Sequence, residues 1–265
     1  MVVPVYIFLT LYFVLAMGLK YFSGINLGIT SEHIIGSYTL MGGIGYVWII
    51  RVFLLIALLT PFLMKIEQRL GDLALIIFIT VLSLLLTLAV DLGIGINNVF
   101  VNTMLYYAVG YSVPFIVGLR IMRTDITHFK RLLLLVATIM VLFCVIRTTQ
   151  TGITSLLNIQ GSKYPPQAYF LFYGLLMSLV CYAICFYTKI GKYTNAICRF
   201  IGSNTIWIYL YHIPLVQITK ILSLHWSLRY VISYVLAVAI CYVQVYIIEK
   251  LRKYNDRKIY KYLQG

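Results

Sequence analysis

The chain alternates between long apolar runs and short polar segments from one end to the other. Eight apolar runs stand out, at residues 2–19, 46–64, 73–90, 99–118, 132–147, 168–187, 200–218 and 229–248. Each run is close to the roughly 20 residues that an α-helix needs to cross the hydrocarbon core of a bilayer. The pattern therefore predicts an all-α polytopic integral membrane bundle of about eight transmembrane helices. Residues 1–265 are expected to form a single transmembrane domain.

Composition supports a membrane protein and excludes an ordinary soluble domain. Hydrophobic residues make up 62% of the chain and charged residues only 11%, whereas a soluble domain carries roughly 25% charged residues. The mean hydropathy is +0.95. Because the spans and their short connections occupy the whole length, no separate soluble domain is expected.

The positions of the basic residues account for the high positive charge. A net charge of +14 would suggest nucleic acid binding in a soluble protein. Here 15 of the 21 Lys and Arg residues fall on one side of the membrane if the N-terminus is cytoplasmic. Such an excess is typical of the cytoplasmic side. We therefore predict a multi-pass protein of the cell inner (cytoplasmic) membrane, with both termini cytoplasmic, that contacts the lipid bilayer and no nucleic acid.

The sequence contains no pattern for a bound metal or nucleotide. Its five cysteines lie in or beside apolar runs, without a CxxC or a Cys/His spacing. It also lacks a P-loop, a GxSxG elbow and an HExxH helix. We predict no metal site and no bound cofactor.

The segment RFIGSNTIWIYLYHIPLVQI, residues 199–218, carries the strongest candidate for chemistry. Thr205, Tyr209 and His212 follow one another at i, i+4 and i+7, which places them on one face of a helix. An ionisable residue inside a span is costly unless it faces the bundle interior or a wet cavity. A structural hydrogen bond to a neighbouring helix would also explain His212, but histidine is the side chain best suited to proton transfer near neutral pH. We therefore assign His212 as the catalytic candidate.

Ser203 and Asn204 precede this face and have two interpretations. Both follow Gly202 and are ordinary N-cap residues for a helix that begins there. They could equally contact a substrate, and we include them, with Tyr209, among the candidate substrate-binding residues.

A second group of candidates belongs to the outer half of the membrane. Trp48 and Arg51 begin the second apolar run, Arg147 ends the fifth, and Lys163 and Tyr164 lead through two prolines into the sixth. Either arginine alone would be explained by snorkelling toward headgroups. Their shared depth with the histidine favours a substrate-binding role for all five.

These two groups lead to one prediction about the site. We expect Arg51, Arg147, Tyr209 and His212 to face a single polar cavity that opens toward the outer half of the bilayer, since leaving them in lipid would be costly.

Three segments resemble one family of membrane enzymes, the acyltransferase 3 family. IGSNTIWIYLYHIPLV is similar to its late Y-x-x-H-x-P helix, KYPPQAYFLFYGLLMSLVCYAI to its Lys-Tyr-Pro-Pro entry, and GYVWIIRVFLLIALLTPFL to its Trp-containing helix. The resemblance implies transfer of an acyl group from cytoplasmic acyl-CoA, acetyl-CoA or a similar thioester, to a hydroxyl of a cell-surface or lipid-linked glycan. The donor and the glycan acceptor are then substrates rather than bound cofactors.

The sequence departs from the family pattern at its start. The family has about ten spans, and the first helix carries an Arg/His element that has no counterpart here, so the chain resembles the family without its first two helices. We expect an N-terminally truncated member, with an N-terminal fragment as a partner that supplies the missing helices. If the early histidine is the base in the complete architecture, His212 positions the acceptor or shares the proton path.

Two other functions fit the same pattern. A transporter or flippase for a lipid-linked sugar would also need a polar, aromatic-lined interior, and a catalytically inactive fragment would keep the same motifs. Transport of the sugar without consumption of acyl-CoA would favour the transporter.

Overall fold

The computed structural model of the chain describes residues 2–24, 28–44, 47–188, 192–221 and 225–254. Within these ranges the regular secondary structure is helical and contains no strand. The helices, numbered in chain order, are α1 (Val2–Ser23), α2 (Ser31–Tyr38), α3 (Trp48–Arg69), α4 (Asp72–Asp91), α5 (Val99–Arg123), α6 (Ile126–Thr151), α7 (Ala168–Tyr187), α8 (Lys192–Ser203), α9 (Thr205–Ile221) and α10 (Trp226–Tyr254). The chain divides into two compact units, Met1–Trp48 with Ile190–Gly265, and Ile49–Lys189. The all-α membrane bundle predicted from the sequence is confirmed.

Seven of the helices in the described ranges are long and apolar enough to cross a membrane. They correspond to the first six and the last of the eight apolar runs. The remaining run corresponds to α9, whose described part has 17 residues and is therefore about 26 Å long, slightly less than the hydrocarbon core. The basic C-terminal tail, from residue 255 onward, lies outside the described residues.

The core of the second unit lies between α4, α5, α6 and α7. It is built from apolar side chains that are almost completely buried, namely Ile76, Ile79, Val113, Val117, Phe129, Leu132, Val136, Met140, Tyr169, Phe172, Leu175 and Leu179. A smaller cluster of Leu63, Leu75 and Ile116 packs α3 against α4 and α5. These contacts hold the loop between α6 and α7 at one end of the unit and the α3–α4 turn at the other.

Large apolar side chains also cover the outside of the spans. Leu58 is 77% exposed, Leu134 68% and Leu85 57%. Contiguous exposed apolar surface of this kind is unfavourable in water and is the surface that a lipid-facing helix requires. The exposed faces thus agree with the composition.

In the first unit, α9 packs against α1 and α10 through polar contacts as well as apolar ones. The Tyr12 hydroxyl of α1 donates to the side-chain oxygen of Gln217 in α9. The hydroxyls of Thr219 and Ser233, which are both buried, lie 3.1 Å apart and link α9 to α10. Because these polar groups pair with each other inside the unit, they can be kept at membrane depth.

The sequence pattern predicted one apolar run at 200–218. The structure divides this run between two helices. Gly202 lies inside α8, the helix is interrupted at Asn204, and α9 begins at Thr205. The side-chain amide of Asn204 donates to the carbonyl of Phe200, 2.8 Å away, so it bonds back to the preceding helix. Asn204 directly precedes α9 and its carbonyl accepts a hydrogen bond from the N–H of Ile208 at 3.1 Å, so it occupies the N-cap position predicted for Ser203 or Asn204. Its side-chain amide, however, satisfies a carbonyl at the end of α8.

The first half of α5 is π-helical over Asn102–Val109. π-Helical segments are rare and are found frequently at functional sites. Directly after it, Gly110 meets the connection that precedes α7, where a Cβ atom at Gly110 would lie 3.0 Å from the Pro166 ring. A small residue is therefore needed for this close approach.

Candidate functional site

The imidazole of His212 is held by the backbone of its own helix, α9. Its Nδ1–H donates a hydrogen bond to the carbonyl of Tyr209, and the centroids of the two rings are 4.8 Å apart. A carbonyl oxygen can only accept a hydrogen bond, so Nδ1 carries the proton. In the neutral ring the lone pair then lies on Nε2, which is the atom that can accept a proton from a substrate.

His212 lines a groove of about 340 Å³ between α9 and α10. Thr205, Tyr209 and His212 line it from α9, as their helical spacing requires, and Tyr230 and Ser233 line it from α10. The groove thus combines an imidazole and the hydroxyls of Thr205, Tyr209 and Tyr230 with a largely apolar surface that includes Ile201, Ile208 and Val216. Such a lining can hydrogen-bond to the hydroxyls of a polar substrate.

Ser203, Asn204 and Trp48 occupy other positions. Ser203 is exposed at the end of α8, Asn204 is 7% exposed at the break before α9, and neither lines the groove. Trp48 is the first residue of α3 and is half-buried. A substrate contact by any of the three stays a prediction.

Arg147 organises the connection between α6 and α7. Its guanidinium donates to the Ser155 carbonyl at 3.1 Å, to the Ser162 hydroxyl at 2.9 Å and to the Asn158 carbonyl at 3.1 Å. It also lies over the Tyr169 ring, 4.4 Å from the centroid. The five N–H donors of an arginine permit such a multiple contact. Three of the five are used to hold the loop.

Arg51 and Tyr164 meet at the tyrosines of α5. The charge of Arg51 lies within electrostatic range of the Tyr107 hydroxyl, and Tyr164 lies within range of both Tyr107 and Tyr111. The rings of Tyr107 and Tyr111 stack with 6.3 Å between centroids. Lys163 lies over the Tyr164 ring at 4.9 Å. The second unit therefore gathers several of the candidates around the π-helical part of α5.

The sequence interpretation did not assign Tyr107 and Tyr111 to this group. Their i, i+4 spacing inside an apolar run was the available signal, because it places both rings on one helix face. The π-helical segment, which contains Tyr107 and ends two residues before Tyr111, has no signature in the sequence.

A buried ion-pair network lies at the other end of the second unit. Glu67, which is 3% exposed, contacts Arg120 at 2.9 Å and Arg123 at 3.0 Å. Asp72 contacts Arg120 at 3.2 Å and Nδ1 of His128 at 2.6 Å. These pairs connect α3, α4, α5 and α6, and they place a large share of the charge of this unit at one end.

The predicted residues are distributed over both units. Arg51, Arg147, Lys163 and Tyr164 belong to the second unit, whereas the groove of His212 belongs to the first. Each group has its own contacts, described above. The single cavity expected from the sequence stays a prediction.

Comparison with known proteins identifies the reaction class. A family model described as an acyltransferase domain matches residues 2–246. No curated protein matches the chain, and no solved structure does. The match covers nearly all of the described spans, including α9 and its histidine.

Proposed function

The chain belongs to the acyltransferase 3 family, and from this premise we propose that it transfers an acyl group, most simply acetyl, from acyl-CoA to a hydroxyl of a cell-surface or lipid-linked glycan. The observation that supports the chemistry is the fixed imidazole of His212, whose Nδ1–H is engaged by the Tyr209 carbonyl in a groove lined with hydroxyls. A histidine so held can act on a hydroxyl proton.

The transfer needs one proton to move twice. As the glycan oxygen attacks the thioester carbonyl carbon, its proton passes to Nε2 of His212. The new C–O bond forms and the C–S bond breaks. The imidazolium then returns the proton to the departing CoA thiolate, which leaves an ester on the glycan, a free thiol and a neutral histidine.

The end of the second unit that carries the ion-pair network offers a binding site for the acyl-CoA donor. A cavity of about 720 Å³ there is lined by Arg120, His128 and Arg131 together with Asp72. Arg131 makes no ion pair with another residue in the described part of the chain. Its charge is therefore available for the phosphates of acyl-CoA, which arginine binds well.

The proposal is tested with the purified chain in liposomes. Acetyl-CoA labelled in its acetyl group is supplied with lipid-linked or extracted glycans, and labelled ester and released CoA are measured together. We expect the two products in equal amounts, and mild alkali should remove the label because it is held as an ester.

Two results would contradict the proposal. Movement of a lipid-linked sugar across the bilayer without release of CoA would favour a flippase. Absence of both activities, in a preparation that unfolds cooperatively, would indicate an inactive chain.

A further inference from the structure

A cavity of about 500 Å³ lies at the end of the second unit where α4 ends and the loop after α6 begins. This volume is within the range of small-ligand sites. Asp91 ends α4 here, whereas Asp72 begins the same 20-residue helix within the ion-pair network. The cavity is therefore about 30 Å from the network, one membrane thickness away.

The wall of the cavity is fixed by hydrogen bonds. Arg147 holds the loop carbonyls and Ser162, as described above. The Thr87 hydroxyl of α4 accepts a hydrogen bond from the backbone N–H of Ala168 at 2.9 Å. The backbone N–H of Gln167 donates to the Ser162 carbonyl at 2.9 Å. The site is thus preformed by the loop rather than left open between mobile side chains.

Three other polar side chains line the cavity and take no part in the hydrogen bonds that fix its wall. Asp91, Gln150 and Gln167 make no side-chain hydrogen bond or ion pair with another residue in the described ranges. Asp91 also lies at the C-terminus of α4, where the helix dipole disfavours a negative charge. The Asp91 carboxylate therefore does not stabilise α4, and its oxygens are available to a ligand.

The chemistry of the lining selects the class of ligand. One carboxylate and two amides offer both donors and acceptors, which is what vicinal hydroxyls need. The charge of Asp91 is balanced across the cavity by that of Arg147, so a strongly charged ligand gains little. Leu84 and Phe143 add an apolar surface on which the C–H face of a ring can lie.

We propose that this cavity binds a neutral sugar residue, whose hydroxyls are held by Asp91, Gln150 and Gln167. The inference rests on the proposed function and deepens it, since the sugar would be part of the glycan acceptor. Arg147 is a positioning residue of this site, because it holds the loop that forms the wall.

The test measures sugar binding without any acyl donor. The full chain is placed in lipid nanodiscs free of glycoside detergents. Saturation-transfer NMR then measures the dissociation constants of methyl β-D-glucopyranoside, methyl β-D-galactopyranoside and methyl N-acetyl-β-D-glucosaminide. Methyl β-D-glucuronide serves as the anionic counterpart. We expect at least one neutral glycoside to bind saturably and more tightly than the glucuronide.

Substitutions locate the binding. Asp91→Ala and Gln150→Ala should each weaken binding about tenfold, as expected for a lost hydrogen bond to the ligand. Thr149→Ala, one residue away but outside the cavity, and Glu32→Ala, an exposed acid of the first unit, should leave it unchanged. Because neither Asp91 nor Gln150 contacts another described side chain through hydrogen bonds, neither variant should lower the unfolding midpoint.

The results of this experiment distinguish a failure of the sugar site from a failure of the proposed acyl transfer. No binding of any neutral glycoside, tighter binding of the glucuronide, or unchanged binding in both cavity variants would overturn the sugar site even if acyl transfer is observed. Binding that depends on Asp91 in a chain that transfers no acyl group would uphold the site and contradict the proposed function.

Discussion

Arg147 and His212 are both polar residues in apolar runs, yet their surroundings give them different roles. Arg147 uses three of its donors within the protein and stabilises a loop. His212 uses one ring nitrogen to fix its orientation, and the tautomer that results places a basic nitrogen in the ring. The first arrangement predicts an effect on stability, and the second predicts an effect on rate.

Replacement of His212 should remove the proton acceptor. We expect His212→Ala to lower the rate of acyl transfer by about 10² to 10⁴, measured as release of CoA by the chain in liposomes. His212→Gln, which retains hydrogen bonding but cannot take up a proton, should be equally impaired. The control is His225→Ala, because His225 is exposed and its side chain contacts only its sequence neighbours Trp226 and Ser227 among the described residues. A rate in His212→Gln near that of the wild type would exclude proton transfer by this residue.

Replacement of Arg147 should loosen the loop after α6. Lysine cannot donate to three separate acceptors in this geometry, so Arg147→Lys should lower the free energy of unfolding by about 2 kcal/mol. Unfolding in SDS titration measures this loss. Arg69→Lys, at an exposed residue without an ion pair in the described ranges, is the control. Equal stability of the two variants would contradict the role assigned to Arg147.

At the scale of helices, the ion-pair network joins four elements through two carboxylates, Glu67 and Asp72. Glu67 is 3% exposed and faces two arginines. Glu67→Gln leaves Arg120 with one carboxylate, Asp72, beside two backbone carbonyls, and we expect a loss of about 3 kcal/mol in the free energy of unfolding, the low end for a broken buried pair. Glu32→Gln, at an exposed acid, should change it by less than about 0.5 kcal/mol. A loss no larger than this control would show that the network contributes little to stability.

Two glycines of α5 offer a matched pair of alanine substitutions. At Gly110 the added Cβ would lie 3.0 Å from the Pro166 ring, whereas at Gly118 nothing lies within 4 Å. Gly110→Ala should therefore destabilise the chain by about 1 kcal/mol through overpacking. Gly118→Ala should stabilise it by about 0.5 kcal/mol, since alanine favours a helix. Opposite signs in the thermal unfolding midpoint would confirm the close contact, and equal shifts would contradict it.

The helices themselves follow from the sequence to different degrees. Seven of the eight predicted spans are confirmed as long apolar helices in the described ranges, because length and hydropathy alone decide them. The start of α9 at Thr205 agrees with a cap at Ser203 or Asn204, whereas the separate helix α8 is not predicted, because most of it precedes the apolar run at 200–218. Likewise, the sequence does not connect Asp91 with Gln150 and Gln167, because only the loop held by Arg147 brings them to one cavity.

The helix before this break differs in character from the spans. In α8, Ile197, Phe200 and Ile201 share one face at i, i+3 and i+4, while Asn195 and Arg199 hydrogen-bond on another. A short helix with one apolar face and basic residues is typical of the membrane surface. The 200–218 run therefore combines the end of a surface helix with the start of α9.

At the scale of the whole molecule, the open question is the side of the membrane on which each segment lies. The number of membrane crossings after residue 163 decides whether the loop after α6 and the C-terminus lie on the same side or on opposite sides. If α7, α9 and α10 all cross the membrane, three crossings separate Lys163 from Gly265, and the two residues lie on opposite sides. If α9 fails to cross, only two crossings remain and both lie on one side. The described length of α9, 17 residues, makes this helix the decisive one.

The basic residues favour the first alternative. Of the 21 Lys and Arg residues, 15 fall on one side when α9 crosses, and six of these follow residue 249. We therefore predict that reporter fusions at Lys163 and Gly265, one active only outside the cytoplasm and one fluorescent only inside it, give opposite results, with Gly265 cytoplasmic. A further fusion between Arg123 and Ile126 should agree with Gly265, because that connection carries the basic ends of α5 and α6. The same side for Lys163 and Gly265 would mean that α9 does not cross, and its histidine would then have to be reached from the cytoplasmic face.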